Sequence, residues 1–302
     1  MRILLTGANG FIGRNLLASP LAQRYCIDAP RRGELDLRDT LAVDAYLANR
    51  TYDVLIHAAV KPGHRNAKET DHLLQTNLVM FENLARHAGR FGRIFNMGSG
   101  AVYDTSCEIT LARESSAFER LPSDEHGFAK YVIGKRLESL PHAVDCRIFG
   151  IFGPYEDWEI RFISNALCKA LHGLPITLRQ NRRFSYLYAP DLALILEGLI
   201  EAPSLPHQAY NLVPPKSITL VDLAQKVQKM VVAMGKEEVP LQIAQTGNGL
   251  EYTGSAERLC HDWATICATP LVFTPIDQAL LELSDFYTTL KEVQLHQLLH
   301  DK

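Results

Sequence analysis

The chain opens with an apolar run, Ile3-Leu4-Leu5, that leads at once into Thr6-Gly7-Ala8-Asn9-Gly10-Phe11-Ile12-Gly13 and then into Asn15-Leu16-Leu17. This order reads as strand, tight glycine turn and helix, and it narrows the possible folds more than any other stretch. One glycine permits the turn, a second lets backbone approach a pyrophosphate, and a third lets the helix pack on the strand. The helix N-terminus then offers free N–H groups and the positive end of its dipole to phosphate oxygens. A glycine triplet alone also fits a plain structural turn. Its place directly after a first strand is what points to a dinucleotide, held by Gly7, Asn9, Gly10, Phe11, Ile12 and Gly13.

Strand-like and helical patterns alternate through the first half. Tyr25–Asp28, Asp53–His57, Arg93–Met97 and Val144–Phe149 read as strands. Helical periodicity runs from about Lys68 to Gly89, through Leu74, Asn77, Leu78, Phe81 and Leu84, and again from about Ser123 to Leu140. This alternation predicts an α/β fold: a Rossmann-type doubly wound parallel sheet with ligands outside the carboxyl ends of its strands. After Gly153-Pro154 the pattern changes. Ser185–Tyr188 and Ala209–Val213 read as late strands returning to the sheet, around a helix at Asp191–Ile200. From about Ser217 the chain reads as mainly helical, broken at Pro240, Gly247–Gly249 and Pro270. The expected division is a dinucleotide-binding domain at 1–153, rejoined by 184–213, and a smaller, mainly helical C-terminal substrate lobe from 154–183 and 214–302.

Composition excludes several classes. The net charge of −3 carries no basic block, so nucleic acid is not an expected partner. No apolar stretch is long enough to span a bilayer, and the N-terminus enters a strand rather than a signal peptide. The six cysteines, Cys26, Cys107, Cys146, Cys168, Cys260 and Cys267, are scattered without a C-x-x-C pair. They are expected as free thiols in a reducing cytoplasm. His and Cys do not cluster at metal-ligand spacing, so no metal is expected.

The landmarks are Thr6–Gly13, Asp36-Leu37, His57-Ala58-Ala59, Asn77, Ser99–Tyr103, Gly127–Lys130, Arg147–Pro154, Arg183–Asp191 and Tyr210-Asn211. In this order and spacing they resemble the extended short-chain dehydrogenase/reductase family of nucleotide-sugar epimerases, dehydratases and ketoreductases. The resemblance implies hydride transfer between a nicotinamide and a sugar carbon, served by a Ser or Thr, a Tyr and a Lys. The last two are spaced Y-x-x-x-K, which puts both on one helix face. Ser99 and Lys130 occupy two of these positions, with Ser99 four residues before Tyr103. The Tyr position holds His126 instead.

Three readings of His126 stay open. It can be a working acid/base, because imidazole titrates near neutrality. Its presence can mark a protein that binds without turning over, a catalytically impaired nucleotide-binding or scaffold protein. It can also be a substitution in an otherwise normal enzyme. Tyr131 and Lys135 repeat the Y-x-x-x-K spacing, but five residues rotate a side chain by about 140° from position 126. Tyr131 is therefore expected on another face.

For the cofactor, an acidic residue ending the second strand favours a ribose diol, and nearby arginines favour a 2′-phosphate. Asp28 falls early for the first role, and Arg31 and Arg32 sit in the following turn, so NADP is preferred over NAD. A solvated turn is the plain alternative for the two arginines. The resemblance further implies adenine contact at Asp36-Leu37 and a central groove lined by Ala58, Ala59, Lys61 and Asn77, with Lys130 on the ribose.

Within the family the chain looks most like the GDP-fucose synthase and 4-keto-sugar reductase branch. That enzyme's epimerising Cys and His correspond here to Ala101 and Arg161, and the dehydratase Asp-Glu pair to Gly100-Ala101. Neither epimerisation beside the ketone nor dehydration is therefore expected. What remains is 4-ketoreduction of an NDP-4-keto-6-deoxy-sugar, or 4-epimerisation. Tyr103, Arg161, Asn165 and Arg183 are the expected substrate contacts, with surface or interlobe salt bridges as the plain alternative for the arginines. His64, Arg65 and Asn66 could rim the pocket, though a polar loop accounts for them as well. The resemblance also implies a homodimer through the helices at about 67–89 and 123–140.

Overall fold

A computed structural model describes residues 1–63 and 71–289. His64, Arg65 and Asn66 lie outside the described residues. The first half runs β1 (Arg2–Thr6), α1 (Phe11–Ala18), α2 (Pro20–Arg24), β2 (Cys26–Asp28), α3 (Thr40–Leu47), β3 (Tyr52–His57), α4 (Leu73–Ala85), β4 (Phe91–Ser99), β5 (Ile109–Ala112), α5 (Glu125–Leu137) and β6 (Ala143–Ile148). The second half runs β7 (Gly150–Phe152), α6 (Phe162–Leu171), β8 (Ile176–Asn181), β9 (Arg183–Phe184), β10 (Tyr186–Tyr188), α7 (Ala189–Glu201), β11 (Ala209–Leu212), β12 (Ile218–Thr219), α8 (Leu220–Ala233), β13 (Leu241–Asn248), β14 (Tyr252–Gly254), α9 (Glu257–Ile266) and α10 (Ile276–Thr288).

Six strands form one parallel sheet in the order β11-β6-β4-β3-β1-β2. The Rossmann-type expectation holds. The strand period of two explains how both faces are covered. Ile3, Leu5, Val54, Ile56, Phe95 and Met97 point to one face, where they meet Leu16 of α1, Leu21 of α2 and Leu192, Leu196 and Leu199 of α7. Leu4, Leu55 and Ile94 point to the other, against Val43 and Leu47 of α3, Phe81 and Leu84 of α4, and Ile133 and Leu137 of α5. Each such side chain contributes roughly 1.5–3 kcal/mol when fully buried.

A second core joins α6, α8 and α10 to β8 through Ile163, Leu167, Leu223, Val227, Leu280, Leu283, Ile176 and Leu178. Two sequence expectations change here. Tyr186–Tyr188 does not rejoin the large sheet; it pairs with β7 as a separate two-stranded sheet, and only Ala209–Leu212 returns, beside β6. The stretch after Ser217 also contains a strand, β13, paired in parallel with β8. Its residues alternate Leu241, Gln242, Ile243, a period of two that Pro240 had masked as a mere helix break.

Candidate active site

The chain leaves β1, one strand in from the edge of the sheet, adds β2 on its outer side and returns to place β3 on the other. The reversal makes a crevice at the carboxyl ends of β1 and β3. Two loops close on each other there. Gly7 has φ +75°, and a Cβ on it would lie 2.5 Å from the Ala58 carbonyl carbon and the Ala59 nitrogen. A Cβ on Gly13 would lie 2.3 Å from the Gly7 carbonyl oxygen. Only hydrogen fits at both positions. No side chain caps α1 at Gly10, so the orphan N–H groups of its first turn face the crevice mouth. Asn9 and Gly10 are exposed there, with Phe11 and Ile12 half-buried. This cradle suits the pyrophosphate of a dinucleotide, which would be held by the backbone of Gly7 to Gly13.

The loop after β3 is braced by Asn77 of α4. Its carboxamide oxygen accepts from the Lys61 amide at 2.8 Å, and its nitrogen donates to the Lys61 and Leu73 carbonyls at 3.2 and 3.0 Å. Asn77 thus fixes the backbone of Lys61, in the loop that begins with Ala58-Ala59. At the edge strand, Asp28 accepts from Arg2 at 2.9 Å and from the Tyr52 hydroxyl at 2.8 Å. Its register opposite Leu4 sets it two residues short of the end of β1. Arg31 and Arg32 lie in the exposed turn beyond. Asp36 accepts from Arg38 through both carboxylate oxygens, with Arg32 at 3.6 Å. Those cations hold its carboxyl down at about 2. Leu37 is buried behind it.

Ser99 ends β4, and its hydroxyl accepts from the Ala101 amide at 3.1 Å. Helix α5 begins just beyond, capped by Asp124, which accepts from the Gly127 amide at 2.8 Å. That cap puts His126 in the first turn and Lys130 one turn later on the same face. Lys130 donates to the Met97 carbonyl at 2.9 Å, and burial lowers its pKa. Burial lowers His126 to about 4, with the Lys130 and Arg161 charges adding to the effect and Asp124 opposing it. His57, at the end of β3 and 2.8 Å from the Thr6 hydroxyl, is pushed down to about 3 by burial and by Lys130. Both rings are neutral at physiological pH.

The remaining expected contacts separate. Arg161 is exposed at the N-terminus of α6 and acts electrostatically on His126, Tyr186 and Glu156. Asn165 lies one turn into the same helix. Tyr103 is buried; its hydroxyl donates to Asn211 at 2.8 Å and accepts from Arg147 at 3.2 Å. Arg147 also donates to Asp145 at 2.9 Å, so Tyr103 belongs to a buried polar network beneath the site. Arg183 points to the outer side of β9, where it donates to Ser217 at 3.5 Å. Its neighbour Arg182 stacks on the Phe184 ring at 5.1 Å and acts electrostatically on Tyr186 and Tyr252. Arg182, Tyr186 and Tyr252 were not singled out in the sequence. The even spacing of 182, 184 and 186 was the available signal, since alternate strand residues share a face. Tyr131 sits edge-on to Phe118 at 5.0 Å, on a different face of α5 from His126, as the helix angle predicts.

Residues 3–212 match the model of the NAD dependent epimerase/dehydratase family. The chain belongs to that family. GDP-L-fucose synthase of Azorhizobium caulinodans is 26% identical over 252 residues, 76% of this chain and 80% of that one. In three dimensions the chain is similar to a GDP-mannoheptose C4 reductase of Campylobacter jejuni with NADP bound, at TM-score 0.77 and 15% identity over 95% of this chain and 98% of that one. It is also similar to a Thermus thermophilus UDP-glucose 4-epimerase in complex with NAD, at TM-score 0.73 and 21% identity over 96% of this chain and 100% of that one. These two likenesses speak for the fold. Among the described residues, no set of three His, Cys, Asp or Glu could hold a metal, and no helix is long and apolar enough to cross a membrane.

Proposed function

We propose that this family member is a nucleotide-sugar 4-ketoreductase that prefers NADP and acts on an NDP-4-keto-6-deoxy-sugar. The observation that carries the reading is what stands beside Ser99. Gly100 and Ala101 bear no ionisable group, and the guanidinium of Arg161 offers donors but no base. A carbon-bound proton beside the ketone therefore meets no base at these positions, and hydride transfer at the carbonyl carbon is the chemistry left, with ketoreduction the reading preferred over 4-epimerisation. The cofactor, when bound, supplies the hydride. Ser99 and the neutral ring of His126 would hydrogen-bond the carbonyl oxygen, and Lys130 would hold the nicotinamide ribose. Arg31 and Arg32 support NADP, because Asp28 is engaged by Arg2 and Tyr52 at its place opposite Leu4, two residues short of the end of β1. Arg161 and Arg182 support a diphosphate grip on the sugar nucleotide. The helices α4 and α5 would form the interface of a homodimer, and the second core would serve as the substrate lobe.

A second reading has its own observation. A His126 held neutral down to about pH 4 also fits a protein that binds nucleotide without turnover. Mass spectrometry of nucleotide released on denaturation, followed by NADPH consumption with GDP- and dTDP-4-keto-6-deoxyhexoses, separates the two. The expected result is NADPH-dependent reduction with no rate inflection near pH 6.5, the ordinary value for imidazole. Stoichiometric bound NAD would favour a 4-epimerase. Failure to bind NADPH at all would overturn the reductase, and a gain of about 100-fold or more in His126→Tyr would point to a chain that binds but turns over poorly.

A further inference from the structure

The position where the resemblance implies a phenol holds His126, and a phenol from a distant stretch of chain, Tyr252, reaches the end of β4. The hydroxyl of Tyr252 interacts with the side chain of Ser99. A Cβ built on Gly100 would lie 2.7 Å from that hydroxyl oxygen, so the glycine is what lets the phenol reach the end of β4. The Tyr252 ring is clamped between Phe149, with centroids 4.9 Å apart, and Phe184, at 6.0 Å. Its backbone is held on both sides, since β14 pairs with β5 and Tyr252 pairs with Phe184. The Asp124 carboxylate acts on both Tyr252 and His126, which brings the two side chains within reach of one group.

We propose that Tyr252 donates the proton to the sugar carbonyl oxygen, acting with Ser99. This rests on the ketoreductase reading. The carbonyl carbon gains a hydride from the dihydronicotinamide, which is oxidised as its C–H bond breaks. The C=O π electrons move to oxygen. That oxygen takes the phenolic proton, so one O–H bond breaks as another forms, and the phenolate regains a proton from water. Burial raises the phenol pKa, which keeps the proton in place at neutral pH. An alkoxide is still the stronger base, so the transfer runs downhill.

Tyr252→Phe keeps the ring and its packing on Phe149 and Phe184. Reduction of GDP- or dTDP-4-keto-6-deoxyhexose should fall by about 100-fold in kcat, with KM for NADPH unchanged. Calorimetry in the presence of NADP gives a readout independent of turnover. GDP-fucose or dTDP-rhamnose should bind about fivefold or more weakly to the variant, while GDP or dTDP bind as to wild type, because only the sugar offers a hydroxyl to Tyr252. Adding His126→Tyr to Tyr252→Phe should restore much of kcat by returning a phenol to the cleft. Unchanged kcat and sugar-nucleotide affinity in a wild type that reduces NDP-keto-sugars would overturn the role of Tyr252 alone. Equal losses for the sugar nucleotide and the bare diphosphate would also overturn it. A wild type that binds neither NADPH nor either sugar nucleotide would overturn the ketoreductase reading, and this proposal with it.

Discussion

The glycine cradle and the side-chain wall of the cleft are built in opposite ways. The cradle is backbone: Gly7, Gly10 and Gly13 within one strand-turn-helix, closed by Ala58-Ala59 from the neighbouring strand. The wall is side chain: Ser99, His126, Arg161, Arg182, Tyr186 and Tyr252, gathered from five separate stretches of chain. A backbone site depends on which residues lack a Cβ, and that is written locally. A side-chain site depends on which distant residues share a face. The two halves should therefore fail differently when cut.

The sharpest break is at the cradle. A Cβ at position 13 would fall 2.3 Å from the Gly7 carbonyl oxygen and 2.6 Å from the Ala8 Cα. Both obstacles are backbone and cannot rotate away. Gly13→Ala should cost on the order of 1–3 kcal/mol or more in stability. It should also abolish NADPH binding, as seen by fluorescence titration and by the absence of the thermal shift expected when NADPH is added to the wild type. A variant that melts like wild type and still binds NADPH would mean that the cradle tolerates a side chain, and the contrast between the two regions would dissolve.

That contrast also explains what the sequence could disclose. The glycine loop, the alternation of Ile3, Leu4 and Leu5 between two faces, and the i,i+4 relation of His126 and Lys130 all follow from short-range periods. They were readable without the structure. Tyr252 was not, because its meaning depends on Gly100, some 150 residues away, lacking a side chain. Tyr103 meets the same limit. Its distance from Ser99 is a local fact, whereas its hydroxyl is claimed by Asn211 and Arg147 from β11 and β6. The return of β11, but not β10, to the large sheet was likewise set by tertiary pairing.

A smaller break tests the wall's foundation. Glu156 is buried at the foot of α6, where Ser164 donates to its carboxylate, and burial lifts its pKa to about 8 from 4.5. Between those values the folded protein holds a proton that the unfolded chain has released. The stability from this group is thus complete below about pH 4.5 and is lost as pH rises towards 8. Glu156→Gln removes the ionisation and should flatten this part of the profile, by roughly 2–4 kcal/mol across the window. Urea unfolding of wild type and variant at both ends of the window measures the difference. Parallel profiles would mean that the carboxyl is ionised in the fold, and that Arg161 rather than burial governs it.

The finest test sets two adjacent arginines against each other. Arg182 lies over Phe184 on the side of Tyr186 and Tyr252, and its Nε donates to the Leu250 carbonyl at 2.7 Å. That bond fixes the guanidinium while leaving its terminal nitrogens for a phosphate or sugar oxygen. Arg183 turns outward to Ser217. Arg182→Gln should weaken sugar-nucleotide binding about tenfold, the loss of one charge-assisted contact, with little change in melting temperature. Arg183→Gln should change neither measurement beyond about 0.5 kcal/mol, as is usual for a surface position. Calorimetry on the two variants reads the parity of the strand directly. If Arg183 proved the stronger contact, the strand would face the ligand with its other side. Tyr186 and Phe184 would then leave the cleft with Arg182, and the wall would have to be rebuilt from odd-numbered residues.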